Sequence, residues 1–125
     1  MEILLVEDNP GDVRLVREAF SHAGIPYRLS VATDGEEALA HLRTHNGHQP
    51  STDFILLDLN LPGKSGWEVL WEIKQDSMLA RIPVIVLTTS TAPKDIQAAY
   101  ALHANCYLNK PRDLKQFFDL MKSIE

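Results

Sequence analysis

The sequence lacks several features that would place it in other classes of protein. No apolar run approaches the ~18 residues that a transmembrane helix needs, so no membrane span is expected. The amino-terminal segment MEILLVED has no basic stretch ahead of a short apolar run, which is not typical of a signal peptide. Cys106 is the single cysteine, which excludes an intramolecular disulfide and predicts a reducing, cytoplasmic location.

Positive charge is also scarce. Lys and Arg number 12 against 17 Asp and Glu, and the formal net charge of −5 argues against a nucleic-acid-binding protein. No GxxxxGK[ST] or GxGxxG loop follows the first apolar run, so no nucleotide cradle is predicted. What is present is an ordinary globular composition, 45% hydrophobic and 23% charged over 125 residues. It predicts a single domain over residues 1–125.

Apolar runs alternate with helical patterns along the chain. The runs predicted as strands are Ile3–Val6, Tyr27–Val31, Phe54–Leu57, Val84–Leu87 and Cys106–Leu108. Strands that are apolar on both faces and alternate with helices are typical of a parallel sheet covered on both sides. We therefore predict an α/β domain of five βα units, a flavodoxin-like doubly wound parallel five-stranded sheet with strand order 2-1-3-4-5.

Residues that favour the start of a helix mark each predicted helix. Each begins at a residue that suits an N-cap or first-turn position: Asn9-Pro10, Thr33 with Glu36, Ser65 with Glu68, Pro93 and Asp113. The fourth helix is predicted to carry Ile96, Ala99 and Tyr100 on its apolar face, and the last to carry Leu114, Phe117, Met121 and Ile124 inward. The polar stretch Thr44 to Asp53 is predicted to be a surface loop.

Polar residues follow the first, third, fourth and fifth strands. In such a sheet the working site lies at the carboxyl ends of the strands, where the strand order reverses. The residues predicted to meet there are Glu7, Asp8, Asp58, Asn60, Thr88, Thr89, Ser90, Asn109 and Lys110.

Three of these residues are carboxylates, Glu7, Asp8 and Asp58. At about 4 Å and a surface-like dielectric, each pair would repel by roughly 4 kcal/mol. Protonation or a divalent cation would relieve the repulsion, and hard oxygen ligands suit Mg²⁺. Carboxylates, a cation site, Lys110 and a hydroxyl suit phosphoryl transfer, with Asp58 as the carboxylate nucleophile.

Four segments carry a family resemblance. LLVEDNP, ILLDLNLPGKSG, VIVLTTS and NKP, in this order and spacing, resemble the receiver domain of bacterial two-component response regulators over essentially the whole chain. The longer segments VEDNPGDVRLVREAF, LDLNLPGKSGWEVLWEIK and LTTSTAPKDIQAAY with ANCYLNKP are similar to small stand-alone regulators that serve phytochrome-type histidine kinases. The resemblance implies a signalling phosphoacceptor that catalyses only its own phosphoryl transfer and slow dephosphorylation.

The resemblance also implies a phosphorylation site with a metal. Asp58 would accept the phosphoryl group from a sensor histidine kinase. Glu7 and Asp8 would form the acidic pair that binds Mg²⁺ together with Asp58, and the backbone carbonyl of Asn60 would be a further ligand. Mn²⁺ would substitute for Mg²⁺. Neither a nucleic acid nor a membrane is implied as a partner.

Switch residues follow from the same resemblance. The Thr88 hydroxyl would bind a phosphoryl oxygen, and Lys110 would pair with the phosphoryl group. Tyr107 would occupy the aromatic switch position and move as Thr88 moves, and Lys110–Pro111 would be a cis peptide. Thr89 is bulkier than the small residue common at its place in the family, which predicts narrower access to the site.

Signal output would then be a changed surface, since the resemblance covers the chain with no output domain. That surface would comprise the fourth helix, the fifth strand and the fifth helix. Phe118 and Leu120 widen the apolar stripe of the last helix beyond one core face. This pattern predicts a homodimer through that face.

Other functions on the same fold remain open at this point. A phosphorylation-independent adaptor would lack Asp58, Asp8 or Lys110, and all three are present. A flavin carrier would need a phosphate-binding loop where this chain has the acidic EDNPGD. An aspartyl-phosphate phosphatase would have D-x-D, whereas here Asn60 follows Asp58 by two residues. The missing carboxylate predicts slow hydrolysis of the phosphoryl group.

Overall fold

The computed structural model describes residues 1–44, 52–110, 113, 115–117 and 119. Its strands are β1 (Glu2–Val6), β2 (Arg28–Ala32), β3 (Phe54–Leu57), β4 (Val84–Thr88) and β5 (Cys106–Asn109). Its helices are α1 (Pro10–Ala23), α2 (Gly35–Arg43), α3 (Gly66–Gln75) and α4 (Pro93–Ala101), with a 3-10 turn at Leu79–Arg81 that was not predicted. Residues 113, 115–117 and 119 are helical. The five predicted strands are confirmed, and no predicted strand end is wrong by more than a single residue.

The sheet is parallel throughout and has the order β2-β1-β3-β4-β5, which confirms the predicted fold class. At the reversal of strand order, Val6 of β1 is paired with Leu57 of β3. The next residues along these two strands, Glu7 and Asp58, therefore leave the sheet side by side. The N–H of Asp58 extends this ladder by donating to the carbonyl of Val6 at 3.0 Å.

Both faces of the sheet are covered by apolar side chains, because alternate residues of each strand point to opposite sides. Strands β3 and β4 are buried along their whole length, whereas β2 at the sheet margin is partly exposed. On one side the core includes Leu4, Val6, Ile55, Leu57, Leu39, Leu70, Ile73 and Ala99. On the other side it includes Ile3, Leu5, Leu56, Leu87, Val16 and Phe20. The strands that lead to Asp58 and Thr88 are therefore fully buried.

Three of the predicted helix starts agree with the structure, and one of them is Pro93, the first residue of α4. The Asn9 side chain accepts the N–H groups of Gly11 and Asp12, with Pro10 in the first helical position. Ser65 accepts the N–H of Glu68. These caps fix the first turns of α1 and α3, the helices that follow β1 and β3.

The predicted start of α2 is wrong by one residue. Asp34, not Thr33, is the N-cap, and its carboxylate accepts the N–H of Glu37 at 2.8 Å. The Thr33 hydroxyl contacts the side chain of Glu37 instead, at 3.2 Å. The shift places Gly35 at the first helical position, where a Cβ would lie 2.6 Å from a methyl group of Val69. Tertiary packing therefore selects the register of this cap.

The predicted inward face of α4 is wrong at Tyr100. Ala99 is buried, but Tyr100 has 48% of its surface exposed. Adjacent helical residues are about 100° apart around the axis, so a helix that packs through Ala99 turns Tyr100 outward.

Several predicted features lie outside the described residues. They are most of the predicted surface loop, Pro111 of the predicted cis peptide, and Leu114, Phe118, Leu120, Met121 and Ile124 of the last helix. Within the described part of the chain, no helix combines the length and apolar character required to cross a membrane.

Gly66 brings the start of α3 against the backbone of the Asp58 segment. Its N–H donates to the carbonyl of Leu59 at 3.1 Å. A Cβ at this position would overlap the carbonyl oxygen of Asp58 and lie 2.5 Å from the Cα of Leu59. Because both obstacles are backbone atoms, no side-chain rotation would relieve the overlap.

Replacing Gly66 with alanine should therefore lower the free energy of unfolding by about 1–3 kcal/mol, the usual cost of overpacking. Equilibrium urea unfolding measures the change. Gly24→Ala is the comparison, because Gly24 has a φ of 70° but no atom within 4 Å of the place that a Cβ would occupy. An equal or smaller loss in Gly66→Ala than in Gly24→Ala would contradict the close approach at Gly66.

Candidate functional site

Three carboxylates meet at the carboxyl edge of the sheet, as predicted. Glu7 and Asp58 follow the paired ends of β1 and β3 and are buried, and Asp8 is exposed beside them. One carboxylate oxygen from each lies within 4.8 Å of the others. These are hard oxygen donors at the spacing that a divalent cation bridges, so the residues present fit such an ion.

The carboxylates line an open cavity of about 210 Å³. The residues that line it are Glu7, Asp8, Asn9, Asp12, Asp58, Asn60, Thr89 and Lys110. Four carboxylates thus surround the cavity with one ammonium group. This excess of negative charge favours a cation in the cavity and disfavours an anionic cofactor.

Lys110 reaches this cluster from the end of β5. The backbone N–H of Lys110 donates to the carbonyl of Thr88 at 2.8 Å and so extends the hydrogen-bond ladder between β5 and β4. Its side chain is 5% exposed, and Nζ lies 2.5 Å from Glu7 Oε2, 3.0 Å from Asp12 Oδ2 and 3.7 Å from Asp58 Oδ2. The lysine is therefore beside Asp58 but donates its hydrogen bonds to Glu7 and Asp12.

Burial has opposite effects on the two partners of this ion pair. It raises the pKa of Glu7 to about 7, against the hydrogen bond and charge of Lys110, and the nearby Asp58 raises that pKa further. Burial alone would lower the pKa of Lys110, but its hydrogen bonds to Glu7 and Asp12 and the charge of Asp58 outweigh burial and raise it. The ammonium is therefore held in its charged form.

The two oxygens of the Asp58 carboxylate have different neighbours. Oδ1 accepts the backbone N–H of Asn60 at 3.2 Å, and Oδ2 faces the ammonium of Lys110. The first contact forms because the chain turns sharply after β3. A buried carboxylate with one wall open to the cavity is in a position to act as a nucleophile.

Three of the residues predicted to meet at this edge do not line the cavity, namely Thr88, Ser90 and Asn109, whereas Thr89 does. Thr88 is buried at the end of β4, and its hydroxyl oxygen accepts the N–H of Ser90 at 3.3 Å. In this conformation the Thr88 hydroxyl is thus engaged in the turn that leaves β4.

Side chains of β5 hold the segment after Thr88. The Tyr107 hydroxyl donates to the carbonyl of Ser90 at 3.0 Å. The Asn109 amide donates to the carbonyls of Thr89 and Ser90 at 3.2 and 3.3 Å. The segment that follows Thr88 is therefore in direct contact with Tyr107 and Asn109 of β5.

Asp12 is a site residue that the sequence reasoning missed. That reasoning considered residues that directly follow strands, whereas Asp12 lies in the first turn of α1. Its signal was present in the acidic segment EDNPGD: three residues beyond the N-cap Asn9, a side chain lies near the entrance of the helix.

Comparisons with known proteins agree with this geometry. A family model described as "Response regulator receiver domain" matches residues 3–122. The response regulator Rcp1 of Synechocystis sp. is 50% identical over 125 residues, covering 98% of this chain and 85% of that protein.

Two solved structures are similar as well. The phosphorylated cyanobacterial phytochrome response regulator RcpA is 49% identical with a TM-score of 0.81, over 99% of this chain and 90% of that one. The Mn²⁺-bound form of Rcp1 is 49% identical with a TM-score of 0.80, over 99% of this chain and 91% of that one.

Lys110→Met should lower the free energy of unfolding by roughly 2–4 kcal/mol at about pH 8, because the buried carboxylates lose the ammonium that pairs with them. The measurement is made in a chelator. The loss should shrink as the pH is lowered toward about 7, since removal of the ammonium raises the pKa of Glu7 further and the variant takes up its proton there first. Urea unfolding at both pH values provides the test. The control is Lys94→Met, which removes an exposed lysine of α4; equal losses in both variants would contradict the buried ion cluster.

Proposed function

The chain belongs to the response regulator receiver domain family, and from that membership we propose that it receives a phosphoryl group on Asp58 from a sensor histidine kinase. The observation that carries the proposal is the Asp58 carboxylate, buried at the end of β3 with Lys110 at 3.7 Å and one side open to the cavity. The acidic cavity and the family membership both argue against a flavin carrier.

In the proposed reaction, a carboxylate oxygen of Asp58 attacks the phosphorus of the kinase phosphohistidine. The phosphorus–nitrogen bond breaks, and the imidazole leaves. Lys110 neutralises charge on the phosphoryl oxygens, and the Thr88 hydroxyl donates to one of them once it leaves the turn after β4. Asn60, which lines the cavity, offers no carboxylate to act as a general base. Hydrolysis of the acyl phosphate is therefore slow.

We propose Mg²⁺ as the resident cation, held by the carboxylates of Glu7, Asp8 and Asp58 and the backbone carbonyl of Asn60. When bound, it would neutralise charge on the carboxylates and on the incoming phosphoryl group. Hard oxygen donors suit Mg²⁺, which keeps several waters and binds carboxylates together with phosphate oxygens. Mn²⁺ is the proposed substitute, in keeping with the Mn²⁺-bound form of the relative Rcp1.

The proposed output is a changed surface on α4, β5 and the helical residues that follow. The segment after Thr88 contacts Tyr107 and Asn109 of β5 and, through the Ser90 hydroxyl, Asp95 of α4 at 2.6 Å. A phosphoryl group that draws the Thr88 hydroxyl toward the cavity would disturb these contacts.

The partners proposed are a phytochrome-type histidine kinase and a second copy of this chain. Support for the kinase comes from the similarity to RcpA, a phytochrome response regulator. Support for the dimer is the exposed Tyr100 on α4, together with the apolar pattern of Phe118 and Leu120, which lie outside the described residues.

Incubation with Mg²⁺ and acetyl phosphate should label Asp58 with an alkali-labile acyl phosphate, detected by intact mass and by peptide mapping. Asp58→Asn should abolish the label because the amide is a poor nucleophile. Asp53→Asn is the matched control, since Asp53 is exposed and precedes β3 at its opposite end. Equal labelling of Asp58→Asn and the wild-type protein would refute the assignment.

Light scattering on the phosphorylated protein should give the mass of a dimer. The concentration is set at about 100 μM because association depends on protomer concentration. Tyr100→Glu should shift the mass toward a monomer by placing a charge on the proposed face. Trp71→Glu is the control, since it places the same charge on an exposed aromatic residue of α3, which is not one of the elements of the proposed face. A monomer mass for the wild-type protein, with and without phosphorylation, would exclude the dimer.

A further inference from the structure

Three carboxylates surround the ammonium of Lys110, whereas the proposed reaction uses its position beside one of them, Asp58. An ammonium has three N–H donors. Glu7 lies 2.5 Å and Asp12 lies 3.0 Å from Nζ, which occupies two donors, while Asp58 at 3.7 Å lies beyond hydrogen-bonding distance. One N–H is thus left for the side of the cavity where Asp58 lies.

Asp12 is held more firmly than its partly exposed position implies. The Asn9 side chain and backbone carbonyl both accept its N–H, at 3.4 and 3.1 Å, in the capped first turn of α1. Its side chain is 32% exposed, against 1% for Glu7. Asp12 therefore contacts Lys110 from a helix, independently of the strand that supplies Glu7.

The two carboxylates differ in what else they must contact. Under the proposed function, Glu7 is a member of the cation-binding trio, which consists of Glu7, Asp8 and Asp58. Asp12 is not a member of that trio. When Glu7 binds a cation, Asp12 is the carboxylate that remains to accept a hydrogen bond from Lys110.

We propose that Asp12 is a positioning residue for phosphoryl transfer: its carboxylate anchors the ammonium of Lys110, so that the remaining N–H faces the phosphoryl group arriving at Asp58. This inference rests on the proposed function. Asp12 itself does not touch the reacting atoms in this arrangement and acts through Lys110.

Two effects of removing this carboxylate have opposite signs, which makes the proposal testable. Loss of a negative charge near the cavity favours an anionic phosphodonor and would speed labelling of Asp58. Loss of the contact with Asp12 leaves the ammonium of Lys110 less firmly oriented and would slow labelling. A lower rate therefore identifies positioning, and a higher rate identifies a field effect.

The first experiment compares initial rates of labelling by acetyl phosphate at saturating Mg²⁺. Asp12→Asn should be about three- to fivefold slower than the wild-type protein, the scale of one partly exposed ion pair. Asp12→Glu, which retains the charge, should recover part of the loss. Glu18→Gln removes an exposed carboxylate from the same helix and should leave the rate unchanged. An Asp12→Asn rate equal to or above that of the wild-type protein would overturn the proposal.

A double-mutant cycle tests whether Asp12 acts through Lys110. In a Lys110→Met background, Asp12→Asn should cause no further slowing, because the group that it positions is absent. The same factor of slowing in both backgrounds would assign Asp12 a role that does not involve Lys110 and would overturn the proposal.

A third measurement needs no phosphorylation. In ¹⁵N spectra of lysine ammonium groups, Lys110 should give a slowly exchanging signal in the wild-type protein, and Asp12→Asn should broaden or shift it. An unchanged signal would overturn the anchoring contact. Failure of wild-type labelling with a changed ammonium signal would refute the proposed function but retain the contact between Asp12 and Lys110.

Discussion

The buried ion cluster at the end of the sheet is the interaction on which the rest of the site depends. Lys110 lies against Glu7, Asp12 and Asp58 with almost no exposure to solvent. In such surroundings, an unpaired carboxylate is costly and an ion pair is strong. One ammonium does not balance the surrounding carboxylates, so the cluster has an excess of negative charge. A divalent cation would fit that excess.

The sheet supplies the rigidity that such a cluster needs. Glu7 and Asp58 are held side by side because Val6 and Leu57 are paired in parallel at the reversal of strand order. Gly66 then lets α3 approach the backbone of the Asp58 segment more closely than any other residue would allow. The charged groups are thus held in position by closely packed apolar strands.

A second set of contacts connects the segment after Thr88 with β5 and α4. The turn after Thr88 is held by Tyr107 and Asn109, and its Ser90 hydroxyl contacts Asp95 of α4. These are single hydrogen bonds between neutral groups or to a partly buried carboxylate. The free energy of each of these hydrogen bonds is much smaller than the electrostatic energy that a phosphoryl group would introduce. Under the proposed function, a phosphoryl group on Asp58 would therefore be able to disturb these contacts and alter the outer surface of α4 and β5.

The sequence by itself determined the order of elements, the parallel sheet and the cluster of Glu7, Asp8, Asp58 and Lys110. Each depends on short-range patterns: buried runs that become strands, and polar residues that directly follow them. Only the tertiary structure decided that Lys110 donates to Asp12, that Asp34 rather than Thr33 caps α2, and that Tyr100 faces outward. These outcomes depend on how a helix packs against the sheet and its neighbours. That packing is set by contacts between residues far apart in the chain, such as Gly35 with Val69.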